Sequence, residues 1–162
     1  MANTYTQIYI HIVFAVEHRE RIIPKSRKED LHRYITGIVE NRACKLIAIN
    51  SMPDHIHILI GYNPKHSLSD IVRDIKAASS KMINESGWMR GRFDWQEGYG
   101  AFSYSRSQLD TIIHYIMNQE KHHSVKSFRE EYIEILTAFR VEYDPRYLPG
   151  WNDEGEAAPN GA

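Results

Sequence analysis

Residues 5–16 alternate without a break, and that rhythm narrows the fold more than any other feature of the chain. Ile8, Ile10, Ile12, Phe14 and Val16 fall on one face, and Tyr9, His11 and Val13 on the other. Successive side chains of a strand point to opposite faces, so this stretch predicts a half-buried β-strand. The same rhythm returns over residues 55–62. There His55 and His57 share one face while Ile56, Ile58 and Ile60 share the other.

The intervening segments switch to helical spacing. Pro24 and Ser26 announce a helix, with Ser26 and Glu29 in a capping-box pattern. Leu31, Tyr34, Ile35, Ile38 and Val39 form its apolar stripe, which Gly37 weakens. Lys45 to Ser51 reads as a second strand, Pro53-Asp54 breaks it, and His55 to Tyr62 is the third. After the turn Asn63-Pro64-Lys65-His66, Ser67 with Asp70 caps a helix over residues 68–85, with Leu68, Ile71, Val72, Ile75, Met82 and Ile83 at helical spacing. Residues 86–98 look irregular, and Tyr99 to Tyr104 is a short fourth strand. Ser107 with Asp110 is expected to cap a helix that buries Leu109, Ile112, Ile113, Ile116 and Met117. A last helix begins near Ser127, with Glu130 three residues on and a core face of Phe128, Tyr132, Ile133, Leu136 and Phe139.

Strand, helix, strand, strand, helix, strand is the order of an α+β, ferredoxin-like split βαβ sandwich. The expected fold is a four-stranded antiparallel sheet with helices on one side, plus the helix from Ser107 and a C-terminal helix. The first and third strands are central neighbours in that topology, which sets His11 beside His55 and His57. With the core assigned to the other face of the third strand, replacing His57 by Ala is expected to spare the fold. Residues 1–148 are read as one domain. Residues 149–162, rich in Gly, Pro, Ala and acids, are read as a disordered tail.

Composition excludes several classes. At 42% hydrophobic and 25% charged residues, the chain has the balance of a globular domain, and no apolar run reaches the roughly 18 residues that span a bilayer. The N-terminus has no basic region followed by an apolar stretch, so no secretory signal is expected. Cys44 is the single cysteine, which rules out an internal disulfide or a cysteine-based zinc site. A cytoplasmic setting is expected. A net charge of −1 argues against a uniformly basic nucleic-acid binder. The cations are nevertheless clustered, as Arg19, Arg21, Lys25, Arg27 and Lys28 and as Arg73, Lys76, Lys81, Arg90 and Arg92. Such clusters are either local phosphate-binding patches or ordinary solvated faces.

Two segments carry chemistry. His55 and His57 form a pair of metal ligands on a rigid strand, or else are two strand histidines on a solvated face, hydrogen-bonded or simply exposed. A catalytic metal site needs about three protein ligands. On the helix from Ser107, at about 100° per residue, Tyr115, Gln119 and His122 share an arc distinct from the apolar one. That face offers a phenol and a carboxamide about one turn apart, or else Tyr115 is an amphipathic boundary residue and Gln119 is solvated.

Taken together, the motifs resemble the single-tyrosine HUH transposases of small insertion sequences that move as single-stranded DNA. The resemblance rests on His11-Ile12-Val13-Phe14, Met52-Pro53-Asp54-His55-Ile56-His57, Asp74-Ile75-Lys76 followed by Ser79-Ser80, Trp95-Gln96-Glu97-Gly98-Tyr99, and Tyr115-Ile116-Met117-Asn118-Gln119. It covers roughly residues 5–125, and residues 126–148 look like the helical extension of one subgroup. It implies His55, His57 and Gln119 as ligands of a divalent metal, Mg²⁺ or Mn²⁺, and Tyr115 as the nucleophile. It also implies a metal-assisted DNA transposase that cleaves and rejoins single-stranded DNA through a covalent 5′-phosphotyrosine, working as a homodimer on hairpin-containing element ends. Arg73, Lys76 and Lys81 would contact phosphates, and Trp88 would stack on unpaired bases. Trp95 and Phe93 instead read as a packed loop. Two alternatives stand beside this reading: a related HUH endonuclease acting on chromosomal repeats or replication origins, and a non-enzymatic single-stranded nucleic-acid-binding protein.

Overall fold

A computed structural model describes residues 3–18 and 22–148. The tail expected from Pro149 onward, and Arg19 and Arg21 of the first basic cluster, lie outside the described residues. The chain runs β1 (Tyr9–Ala15), α1 (Lys28–Asn41), β2 (Lys45–Met52), β3 (His55–Gly61), α2 (Leu68–Glu85), β4 (Gly100–Tyr104), α3 (Leu109–Met117), α4 (Gln119–His122) and α5 (Phe128–Ala138). The four strands form one sheet in the order β2-β3-β1-β4, with every neighbouring pair antiparallel. This is the expected ferredoxin-like topology, with β1 and β3 at the centre.

The alternation of β1 and β3 decides what each face of the sheet does. Ile12, Phe14, Val16, Ile56, Ile58 and Ile60 pack beneath α1 and α2, against Leu31, Ile35, Val39, Ile71, Val72 and Ile75. Phe93 and Trp95 close that core from the loop before β4. The Trp95 indole Nε1–H donates to Ser79 Oγ at 2.8 Å. The opposite face is not left to solvent. Ala48 and Leu59 pack under Ile112 and Ile116 of α3, while Val13, Ala15 and Phe102 pack under Phe128, Tyr132 and Leu136 of α5. The sheet is therefore covered on both sides. Each fully buried aliphatic side chain contributes about 1.5–3 kcal/mol, so α3 and α5 are held by real apolar area as well as by polar contacts.

Helix ends follow local chemistry, with two departures from expectation. Ser67 caps α2 by accepting from Asp70 N–H at 3.1 Å. Ser127 and Glu130 form a reciprocal capping box at α5, and a cap of this kind contributes about 1 kcal/mol. Ser26, by contrast, sits inside a 3₁₀ turn, Lys25–Arg27, and α1 starts at Lys28 with no side-chain cap. Pro24 sets that turn, and its carbonyl accepts from Arg27 N–H at 2.9 Å. Before α3 the capping box is Ser105 with Gln108 rather than Ser107 with Asp110, because Ser105 is the last extended residue ahead of the 3₁₀ turn Arg106–Gln108.

Four further expectations are corrected. The β1 ladder begins at Tyr9 rather than at Tyr5, since its partners end at Gly61 and Tyr104, both opposite Tyr9. The helix expected to run through Gln119 is interrupted at Asn118 (φ −103°, ψ 28°). There the Asn118 carboxamide donates to the His114 carbonyl at 2.9 Å and competes with the backbone pattern. Met117, the last residue of α3, is exposed rather than buried, as is Phe139 beyond the end of α5.

Candidate metal centre and nucleophile

His55 and His57 project from β3 toward the α3/α5 side of the sheet. In the register, His57 lies opposite Val13 of β1 and Asn50 of β2, and His55 opposite Ala15 and Met52. Both imidazoles are fully buried. The expectation that His57 faces away from packed structure is therefore corrected: α3 and α5 cover this face as α1 and α2 cover the other. Each ring is fixed through its Nδ1. His57 Nδ1 is 2.8 Å from His11 Nε2, with the two rings stacked at 5.0 Å. His55 Nδ1 is 2.7 Å from Asp54 Oδ1. Both Nε2 atoms are thereby turned toward a common centre. Metal-ligating histidines are held in this way, with one ring nitrogen occupied and the other presented.

The helices supply what faces those nitrogens. Asn50, buried on β2, donates from Nδ2 to the Ile116 carbonyl at 2.8 Å and pins the end of α3 to the sheet. Beyond the break at Asn118, Gln119 is fully buried, and its Oε1 lies 3.1 Å from His55 Nε2. Tyr115 lies over the edge of the His57 ring, at 5.9 Å between centroids. His122 packs against Tyr115 with the rings tilted at 44° and their centroids 4.7 Å apart, so the tyrosine, glutamine and histidine share a face despite the interrupted helix. From α5, Phe128 stacks on His55 at 4.0 Å.

The residue that sequence reasoning missed is Glu131. Its carboxylate is 2% exposed and sits at the centre of the cluster. Oε1 lies 3.3 Å from His57 Nε2, 3.5 Å from His55 Nε2 and 2.9 Å from His123 Nε2. Oε2 accepts from Gln119 Nε2 at 2.9 Å and from the Tyr115 hydroxyl in a short contact. A signal did exist. At helical spacing Glu131 falls among Phe128, Tyr132 and Ile135, and an acid within an apolar stripe needs a partner. His123, which the sequence pattern does not single out, also belongs here. It bridges Gln119 Oε1 at 3.0 Å and Glu131, with its Nδ1 on the Lys126 carbonyl.

The electrostatics follow from one carboxylate buried among imidazoles. Burial pushes Glu131 up, but hydrogen bonds from His123 and His57 overcome it and hold the carboxyl far below its usual range. Burial also opposes charge on His123, yet contact with Glu131 leaves its imidazole above the ordinary value. His57 and His11 are both lowered, chiefly by burial. His11 Nδ1 has no hydrogen-bond partner. The Tyr115 phenol is pushed well up by burial, by the Glu131 charge and by their hydrogen bond.

The donor set fits a divalent cation. His55, His57 and Glu131 each offer one ligand atom, all within 4.8 Å of one another. Donors around an ion at about 2.1 Å stand roughly 3–3.4 Å apart; His57 Nε2 to Glu131 Oε1, at 3.3 Å, falls in that range, and His55 Nε2, at 3.5 Å, lies just outside it. A cavity of about 510 Å³ between α3 and α5, lined by Tyr104, Thr111, Tyr115, Glu131 and Glu134 among others, opens onto the Tyr115 side of the cluster.

The residues expected to touch DNA are not brought to this centre. Arg73, Lys76 and Lys81 lie on α2, on the other side of the sheet. Arg73 pairs with Asp70 at 3.0 Å. Lys76 donates to the carbonyls of Gln96 and Gly98 and sits 5.1 Å from the Phe14 ring centre; burial lowers it to about 8. Lys81 is exposed. Trp88 is half-buried against the core, with Arg27 over its ring at 5.7 Å.

Comparison with known proteins gives this arrangement its relatives. Residues 4–119 match the family described as IS200-like transposase. The ISDra2 transposase TnpA of Deinococcus radiodurans is 24% identical over 120 residues, covering 70% of this chain and 84% of that protein. The transposase of insertion element IS200 from Salmonella typhimurium is 27% identical over 104 residues, covering 61% and 68% respectively. In fold, the chain resembles a crystal structure described as a transposase from Deinococcus radiodurans, with a TM-score of 0.57 at 24% identity over 74% of this chain and 95% of that one. It also resembles a REP-associated tyrosine transposase bound to a REP hairpin, with a TM-score of 0.57 at 14% identity over 76% and 73%.

Proposed function

The chain belongs to the IS200-like, single-tyrosine HUH transposases, and we propose that it cleaves and rejoins single-stranded DNA through a covalent 5′-phosphotyrosine on Tyr115. One observation carries the proposal: the Tyr115 hydroxyl and the Nε2 atoms of His55 and His57 converge on a single buried polar cluster within one chain. In this reading His55 and His57, with the Gln119 amide oxygen, hold Mg²⁺ or Mn²⁺. A divalent cation bound there would polarise the scissile phosphodiester and stabilise charge on its non-bridging oxygens.

The chain's own groups do the rest. His11 and Asp54 keep the two imidazoles oriented, and Asn50 keeps the Tyr115 helix against the sheet. The Tyr115 oxygen attacks phosphorus in line, and the bond to the 3′ oxygen breaks. The phenol's proton is balanced by the proton gained on the departing 3′-hydroxyl. Reversal by a 3′-hydroxyl from another strand reseals the linkage, so the phosphodiester bond is exchanged rather than hydrolysed. The Tyr115 hydroxyl donates to Glu131, and burial together with that charge pushes its phenol up. The groove between α3 and α5 is the route by which a strand reaches it.

The substrate in this reading is single-stranded DNA at hairpin-containing element ends, a view supported by the hairpin bound to the REP-associated relative. Arg73, Lys76, Lys81 and Trp88 would serve that DNA from the α2 side of the sheet, away from the cleavage centre. The protein would work in the cytoplasm as a homodimer. No helix among the described residues is long and apolar enough to cross a membrane. A related activity on chromosomal repeats is the second reading, favoured by the same hairpin-bound relative.

The test is an incubation of end-labelled single-stranded DNA from the flanks of the gene with protein and Mn²⁺. Wild type should yield a covalent protein–DNA adduct. Tyr115→Phe should bind the same DNA with unchanged affinity and yield no adduct. An adduct that persists in Tyr115→Phe removes this tyrosine from the reaction.

A further inference from the structure

We infer that Glu131 is itself a ligand of the metal centre, contributed by a helix that lies beyond the family-matching residues. The inference rests on the metal site proposed above and changes its chemistry. Residues 4–119 provide two imidazoles and an amide oxygen, all neutral. Glu131 adds an anionic oxygen donor, the kind that Mg²⁺ prefers and that the histidines lack.

The geometry divides the carboxylate between two tasks. Oε1 stands 3.3 Å from His57 Nε2 and 3.5 Å from His55 Nε2, close to the spacing of neighbouring donors around one ion. Oε2 is turned the other way, onto the Tyr115 hydroxyl and Gln119 Nε2. One carboxylate thus joins the cation position to the nucleophile. A charge this deeply buried is costly unless it is compensated. In this structure His123 provides compensation at 2.9 Å, and a bound cation would provide more.

The placement of α5 is built rather than incidental. The capping box of Ser127 with Glu130 fixes its first turn. Phe128 stacks on the His55 ring. Next to Glu131, Tyr132 is seated so closely on β4 that a Cβ at Gly100 would stand 2.7 Å from its hydroxyl oxygen. These three contacts, on either side of Glu131, hold the turn of α5 that carries it against the histidine face.

The test reads metal binding rather than DNA cleavage. Free Mn²⁺ is measured by electron paramagnetic resonance during titration of the full chain in wild-type, Glu131→Gln and His57→Ala forms, each checked for folding by circular dichroism. Both substitutions are expected to weaken Mn²⁺ binding at least tenfold. If Glu131→Gln binds as tightly as wild type, or more tightly, while His57→Ala loses binding, the carboxylate is no ligand and the histidine site survives without it. If wild type shows no saturable binding, or His57→Ala binds like wild type, the metal-site reading fails and this inference falls with it. Should Glu131→Gln not fold, Glu131→Asp keeps the charge but withdraws the oxygens by one methylene. Weakened binding in that variant supports the assignment, and wild-type binding overturns it.

Discussion

His57→Ala should destabilise the metal-free protein by about 2–4 kcal/mol, apart from any effect on cleavage. The imidazole is fully buried and has polar neighbours on both sides, His11 Nε2 at 2.8 Å and Glu131 Oε1 at 3.3 Å. Glu131 keeps His123 after the substitution, so its Oε1 stays satisfied. His11 does not fare so well. Its Nδ1 is already without a hydrogen-bond partner, and losing His57 leaves a completely buried ring with neither nitrogen bonded. An orphaned buried polar group costs about 1–3 kcal/mol, and the vacated ring volume adds on the order of 1 kcal/mol as a cavity. Against a total stability of about 5–15 kcal/mol, this loss is large. Urea denaturation of wild type and His57→Ala in EDTA measures it without metal linkage. A difference below about 0.5 kcal/mol would show that the histidine face is not packed as described, and the coupling of His11 to His57 would be refuted. Cleavage by this variant should be compared at equal folded fraction, because lost activity and lost fold are expected together.

Two further outcomes test the scaffold. Gly100→Ala should destabilise the protein by about 1–2 kcal/mol in the same assay, since its Cβ would meet the Tyr132 hydroxyl oxygen at 2.7 Å and overpacking outweighs the entropy gained by replacing glycine. A stabilised variant would mean that α5 does not sit this close to β4. His32 hydrogen-bonds Ser51 Oγ at 2.8 Å, and burial, aided by Lys28, lowers it to about 4. Between about pH 6.5 and 4 the unfolded chain therefore takes up a proton that the folded chain refuses, and stability falls as pH falls through that window. His32→Gln should show a shallower fall in thermal midpoint over the same range; identical slopes would remove His32 from the acid response.

Period-two and helical patterns made the architecture legible. The alternation of Ile12, Phe14, Ile56, Ile58 and Ile60 encodes the face beneath α1 and α2, and the order of elements encodes the sheet. Ser67 and Ser127 were readable as caps because their bonds close within three residues. The two-residue spacing of His55 and His57, and the four-residue spacing of Tyr115 and Gln119, were readable for the same reason: periodicity alone decides which side chains share a face. Where local chemistry allowed rival solutions, as with Ser105 over Ser107 or the break at Asn118, the pattern misplaced a helix end.

Local pattern alone did not say what covers the second face of the sheet. That α5 returns across β1 and β4 depends on apolar surfaces and a close approach at Gly100, contributed by residues 26 or more positions apart. Glu131 meets His57 across 74 positions and Tyr115 across 16. Such encounters are products of packing, where burial sets the energy and the assembled geometry chooses the partner. The sequence by itself determined which groups could do chemistry; only the tertiary structure decided that a carboxylate stands between the histidine pair and the phenol.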